Sequence, residues 1–175
     1  MRVELEALTR KQEPLLRNLY QFYVYDFSEF MGWDVTDDGR FTEDDVDRRW
    51  DSPGHHQYLI RAGEQPAGFV LVDLLGQSPV TLRAPVFEMR EFFVMRAYRR
   101  QGVGRQAAVC AFELFRGVWE VYELQQNVAA QAFWRRVIGQ YTAGRFEEQT
   151  WKRYGLNGVM QTFDNSIPTS RIDTA

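Results

Sequence analysis

Between residues 14 and 30 the apolar positions Leu15, Leu16, Leu19, Tyr20, Phe22, Tyr23 and Phe27 recur every three or four residues. That is the period of a helix with one buried face. Pro14 suits its first turn, where no amide donor is needed. Asp34–Asp51 is acidic and turn-rich, and Thr42-Glu43-Asp44-Asp45 has the character of a helix start ahead of Val46 and Trp50. Ser52-Pro53-Gly54 breaks the chain. Strands are predicted over Tyr58–Arg61 and Ala67–Leu75, joined as a hairpin around Gly63-Glu64-Gln65-Pro66. After a turn at Gly76-Gln77-Ser78-Pro79, Val86–Met95 is the strongest strand. A glycine-bearing loop then leads into a helix reaching Phe115, with Ala107, Ala108, Ala111, Leu114 and Phe115 on its apolar side and Gly117 placed to end it. Val118–Leu124 reads as a strand. Asn127 is a predicted N-cap for a helix with Ala130, Phe133, Trp134, Val137 and Ile138 inward, closed at Gly139. Strands over 145–154 and 158–163 would finish a sheet. The order describes a mixed α/β layered domain, one domain over residues 1–163 with a polar tail over 164–175.

Composition narrows the function without choosing it. In 175 residues, 45% are hydrophobic and 15% aromatic, and the net charge is −3. Such a chain can bury a core, which excludes disorder as its main state. Its slight acidity argues against nucleic acid as a partner, since that footprint is basic. One cysteine, Cys110, makes no internal disulfide or cysteine-rich zinc site. His55 and His56 are adjacent rather than four apart, so they do not share a helical face as metal ligands would. No metal is expected. The start has no apolar secretory core and no run approaches a membrane span, so a soluble, cytoplasmic protein with no membrane partner is expected.

The informative stretch runs from a strand into Arg99-x-x-Gly102-x-Gly104 and then a helix. Backbone N–H groups ahead of a helix form an anion cradle, and the helix start adds roughly half a positive charge. Glycines let the backbone approach a phosphate, while Arg99, Arg100 and Arg105 bring cationic donors. A pyrophosphate fits. It could belong to a dinucleotide, because Gly102-x-Gly104-x-x-Ala107 satisfies that fingerprint and Glu123 stands near its acidic position. Against this, Arg96–Gln101 intervene between strand and first glycine, and the motif sits mid-chain with no room for a second half.

The other occupant is coenzyme A. Phe92-Phe93-Val94 followed by Tyr98-Arg99-Arg100-Gln101-Gly102-Val103-Gly104 resembles the main acyl-CoA motif of the GNAT family of N-acetyltransferases. Asn127-x-x-Ala130-x-x-Phe133-Trp134, ending near Gly139, resembles that family's second motif. The resemblance covers Glu88 to Gly139 and implies a central, twisted, mostly antiparallel sheet flanked by helices, with acetyl-CoA as cofactor. It implies that backbone groups of Phe92, Phe93 and Val94 pair with the pantetheine arm. Arg99, Arg100, Gln101, Gly102, Val103, Gly104 and Arg105 would surround the pyrophosphate. Asn127, with Ala130 and Trp134 on the same helix, would contact the cofactor, and Phe133 would be core. The implied reaction is direct acetyl transfer to a primary amine of a small molecule or peptide. The alternatives are a CoA-binding module without turnover and a dinucleotide-binding protein. A homodimer is possible within this reading.

An amine reacts only as the free base, and a lysine-like amine of pKa ~10.4 costs roughly 4.6 kcal/mol to deprotonate at pH 7. A carboxylate base is therefore wanted. Glu88 matches the base position of the family's histone-acetyltransferase branch, and Glu91 an acidic position of its polyamine branch. Regular strand alternation turns the two to opposite faces, and a bulge would shift that parity. Glu91 is preferred and Glu88 stays open. Many members carry a tyrosine where this chain has Trp134, and an indole N–H has no comparable acidity. Tyr141, Tyr122 or water could protonate the thiolate, or it could leave unassisted. Cys110, mid-helix without a neighbouring histidine, is not read as a nucleophile. The resemblance places the acceptor beside the first helix, where Tyr23, Asp26, Phe27 and Glu29 offer aromatic walls and acids suited to a cation.

Overall fold

The computed structural model describes residues 2–42, 46, 48–78 and 80–166. The helix start expected at Glu43–Asp45 and the tail beyond Ser166 lie outside the described residues. Strands β1 (Val3–Ala7), β2 (His55–Ala62), β3 (Gln65–Leu75), β4 (Val86–Val94), β5 (Val118–Leu124), β6 (Glu147–Arg153) and β7 (Leu156–Asp164) are interrupted by helices α1 (Glu13–Met31) after β1, α2 (Val103–Leu114) after β4 and α3 (Val128–Thr142) after β5. The chain divides into two compact units, Met1–Asp73 with Arg90–Cys110 and Leu74–Met89 with Ala111–Ala175. Among the described residues, no helix is long and apolar enough to cross a membrane.

In the first unit β1, β2 and β3 pair antiparallel, β3 is followed by β4, and one register shift falls between Ile60 and Arg61. The period-two alternation of Val3, Leu5 and Ala7 with Glu4 and Glu6 is the signal for β1, an element absent from the sequence reading. α1 starts where Gln12 folds back on Thr9, whose N–H donates to Gln12 Oε1 at 3.0 Å. It stops at Gly32, whose left-handed backbone (φ 65°) needs no Cβ clearance. Its apolar stripe, Leu16, Leu19, Tyr20, Tyr23 and Val24, is buried against Leu59, Phe69, Leu71 and Phe93. Each such side chain contributes about 1.5–3 kcal/mol on burial.

The second unit holds the order β4-β5-β7-β6. β4 and β5 run parallel over Val86–Met89 with Val118–Val121, while β5–β7 and β6–β7 are antiparallel. Its core is aromatic: Phe112 meets Phe163 edge-on at 4.9 Å and Trp119 at 5.0 Å. Asn165 closes the unit, accepting from the Gly117 N–H at 2.8 Å and donating to the Phe112 carbonyl at 2.6 Å. α2 stops at Leu114, short of the expected Phe115. α3 does not close at Gly139; it continues to Thr142 and ends on left-handed Ala143 and Gly144, both donating to the Gly139 carbonyl. Gly139 is not left-handed, so the helix runs through it, and the Phe146 ring packs 3.6 Å from where a Cβ would sit.

Candidate functional site

β4 ends at Val94, a short 3-10 turn covers Arg96–Tyr98, and α2 begins at Val103. Between them Arg100 (φ 61°) and Gly102 (φ 80°) are both left-handed. Alternating right- and left-handed residues turn successive N–H groups to one side and form an anion-binding hollow. The first bond into α2 is donated by Gln106 to the Gly102 carbonyl at 3.1 Å. The amides of Val103, Gly104 and Arg105 precede any helical turn they could bond into. Val103 is buried and anchors the helix start, while Arg100 and Arg105 extend into solvent. Gln101 folds back, its Nε2 donating to the Ala97 carbonyl at 2.7 Å. This loop fits a pyrophosphate through main-chain donors and two exposed cations.

Arg99 is placed differently. Its Nε donates to the Val94 carbonyl at 2.6 Å, its Nη2 reaches Asp26, and its guanidinium lies 5.7 Å from the Phe93 ring centre. Arg96 adds a second contact to Asp26 at 2.7 Å. Arg99 thus braces the strand end against α1. Phe93 and Val94 are buried and Phe92 half-buried, so what this strand end can offer a ligand is main chain.

The two carboxylates have separate partners. The Glu88 side chain is 3% exposed and ion-paired to Arg153. The Glu91 side chain is 17% exposed and accepts from the Tyr23 hydroxyl, with Arg90 Nε 3.9 Å from its other oxygen. Nothing in the sequence pairs Glu88 with a residue sixty-five positions away. Among the acceptor-side residues, Tyr23 is buried with its hydroxyl on Glu91, Asp26 is neutralised by two arginines, and Phe27 packs on Tyr23 at 4.6 Å. Glu29 is an exposed carboxylate on α1.

In the second unit, Asn127 caps α3, its Oδ1 accepting from the half-buried Ala130's N–H at 3.1 Å. Trp134 is buried between Phe112 and Phe133. The Tyr141 hydroxyl donates to Glu113 at 2.7 Å and accepts from Asn165 at 3.2 Å, and the Tyr122 hydroxyl donates to the Leu156 carbonyl at 3.0 Å. Burial raises the pKa of both phenols. Both hydroxyls are spent on packing contacts.

Glu123, the acid a dinucleotide would need for its ribose, is 4% exposed, and neither of its oxygens has a hydrogen-bond partner. It presents no carboxylate to a ligand. Burial, and then the charge on Glu148, push its pKa up to about 9. The folded chain therefore holds this proton far more tightly than the unfolded chain, whose acid titrates near 4.5. The resulting stability is complete below about pH 4.5 and declines as pH rises toward 9. Glu123→Gln is expected to flatten this decline, so thermal midpoints of variant and parent should diverge between pH 5 and 9; parallel curves would contradict it.

A strand running into a left-handed loop and a helix start is an arrangement suited to a phosphorylated ligand. The chain belongs to the acetyltransferase (GNAT) family, whose model matches residues 16–139. Solved structures share its mixed α/β fold and its mostly antiparallel sheet. AAC(6')-Ib in complex with paromomycin and acetyl-CoA aligns with TM-score 0.67 at 17% identity, covering 99% of each chain. The ribosomal-protein-S18-alanine N-acetyltransferase of Escherichia coli aligns with TM-score 0.63 at 12% identity, over 98% of this chain and 99% of that one. An acetyltransferase of Thermus thermophilus aligns with TM-score 0.62 at 19% identity, over 94% of this chain and 97% of that one. No protein of curated function matches the chain.

Proposed function

We propose that this protein transfers the acetyl group of acetyl-CoA directly to a primary amine of a small molecule or peptide, with Glu91 as general base. The observation that carries the choice of base is the contrast between the carboxylates: Glu91 is partly open, with the Tyr23 hydroxyl on one oxygen and Arg90 at 3.9 Å from the other, whereas Glu88 is enclosed and ion-paired to Arg153. Acetyl-CoA supplies an activated thioester carbonyl. The main-chain amides from Gln101 to Arg105, with the Arg100 and Arg105 side chains, would hold its pyrophosphate. The main chain of Phe92–Val94 would hold the pantetheine arm, past Met89, the last β4 residue paired with β5. Glu91 would take the proton that the amine nitrogen loses as it forms its bond to the acyl carbon, a service worth about 10²–10⁴-fold. No phenol is assigned to the departing sulfur; a thiol of pKa near 8.5 leaves tolerably as its anion at neutral pH. Glu29 would help draw a cationic acceptor to α1.

Purified protein given acetyl-CoA and a panel of paromomycin, spermidine and an alanine-headed peptide is expected to release CoA with at least one amine. Tight acetyl-CoA binding with no release on any primary amine would favour the non-catalytic module. Glu91→Gln is expected to lower kcat/KM at pH 7 by about 10²–10⁴-fold and to recover toward high pH, where free amine is abundant. Glu88→Gln should instead lower the thermal midpoint with little change in the pH profile. The converse pattern would move the base to Glu88.

A further inference from the structure

We propose that Tyr23 is a positioning residue for acid–base chemistry: its hydroxyl, fixed inside an aromatic box on α1, donates to Glu91 and holds that carboxylate oriented and charged. The inference rests on Glu91 being the base and adds α1 to the machinery that sets its proton affinity. The ring of Tyr23 lies 4.6 Å from Phe27, 5.2 Å from Tyr20, 5.7 Å from Phe69 and 6.2 Å from Phe93, centre to centre. These rings pack the phenol on four sides, and its oxygen sits against Glu91 Oε2. One helical turn further on, Asp26 is gripped by Arg96 and Arg99. This second tie fixes the height of α1 relative to β4 and keeps the hydroxyl in register with the carboxylate.

The chemistry runs one way. Burial and the adjacent negative charge raise the Tyr23 pKa well above its usual value, so the phenol keeps its proton wherever Glu91 is ionised. A donor that cannot titrate favours the charged carboxylate over the protonated acid and lowers its pKa. Among the described residues, the titratable or charged groups that face this pair include Tyr20 from α1 and Arg90 from β4. Arg90 keeps its charge throughout, and Tyr20 is buried in the same apolar cluster. Removing the Tyr23 hydroxyl therefore moves the titration of Glu91 upward.

The test is the Glu91 carboxyl titration in the free protein, followed by carbon-13 NMR with labelled glutamate and assigned by its loss in Glu91→Gln. Tyr23→Phe keeps the box filled and is expected to raise the Glu91 pKa by about one to two units, a tenfold to hundredfold change in proton affinity. With whichever panel amine turns over fastest, the acidic limb of kcat/KM should move up by the same amount and the high-pH plateau should stay within a few fold. A merely structural role would lower the rate at every pH and leave the limb in place, and that result overturns the proposal. Should Tyr23→Phe fail to fold, 3-fluorotyrosine at position 23, a stronger donor of nearly equal size, must shift the titration downward; no shift overturns it equally. If Glu91→Gln leaves rate and pH profile intact, the base assignment fails instead, whatever Tyr23 does.

Discussion

Gly104→Asp is expected to abolish measurable acetyl-CoA binding while leaving the fold intact. Gly104 lies in the first turn of α2, where its amide has no acceptor within the helix, two residues after left-handed Gly102. An aspartate there places a carboxylate against the bound pyrophosphate. One pair of unit charges about 4 Å apart near a protein surface repels by roughly 4 kcal/mol, or about a thousandfold in affinity, and a diphosphate carries more than one charge. The same aspartate interacts favourably with the helix dipole, so thermal stability should hold or rise slightly. Calorimetry with acetyl-CoA, paired with a melting curve, separates these effects. Unchanged affinity would remove the cradle from the functional reading, and a collapsed melting curve would show that Gly104 is there for folding.

The second large effect is expected at Gly68 on β3. A Cβ at this position would lie 1.9 Å from the Phe93 carbonyl oxygen and 3.0 Å from the Val94 Cα. Both obstacles are backbone, so no side chain can swing away. Gly68→Ala should force β3 off the strand that carries Phe93, at about 4 kcal/mol or more, in the range reserved for special mechanisms. For a chain of this size that is a fall of roughly 8–16 °C in Tm. Gly76→Ala is the control, because a Cβ there meets nothing within 4 Å, and it should change stability by less than about 0.5 kcal/mol. Equal melting temperatures for the two variants would refute the close approach.

Much of this organisation was legible in residue order because it is local. The stripe from Leu15 to Phe27 announces α1, and Val118–Leu124 is observed with the bounds its pattern predicts. Asn127 announces its cap because an Asx side chain satisfies an amide three residues ahead, a contact built within one turn. The glycine loop was legible for the same reason: its left-handed backbone and orphan amides belong to consecutive residues. Gly139 misled because a glycine reads as a stop only when its conformation is left-handed, and here the left-handed residues are Ala143 and Gly144. Arg99 shows the limit of residue order: a cation near a phosphate loop reads as a ligand, and only the fold brings it to Asp26, seventy-three residues earlier.

Residue order alone therefore pointed to a mixed α/β chain, to α1, α2 and α3 and most of the strands, and to the glycine loop between β4 and α2. Three-dimensional packing decided what surrounds each carboxylate. It enclosed Glu88 with Arg153 and Glu123 with no hydrogen-bond partner, and it left Glu91 partly open under the Tyr23 hydroxyl. The physical reason is range. Caps, turns and amphipathic stripes are settled by neighbours within about four residues, whereas the charge state of a carboxyl depends on burial and on partners that only the folded chain brings near.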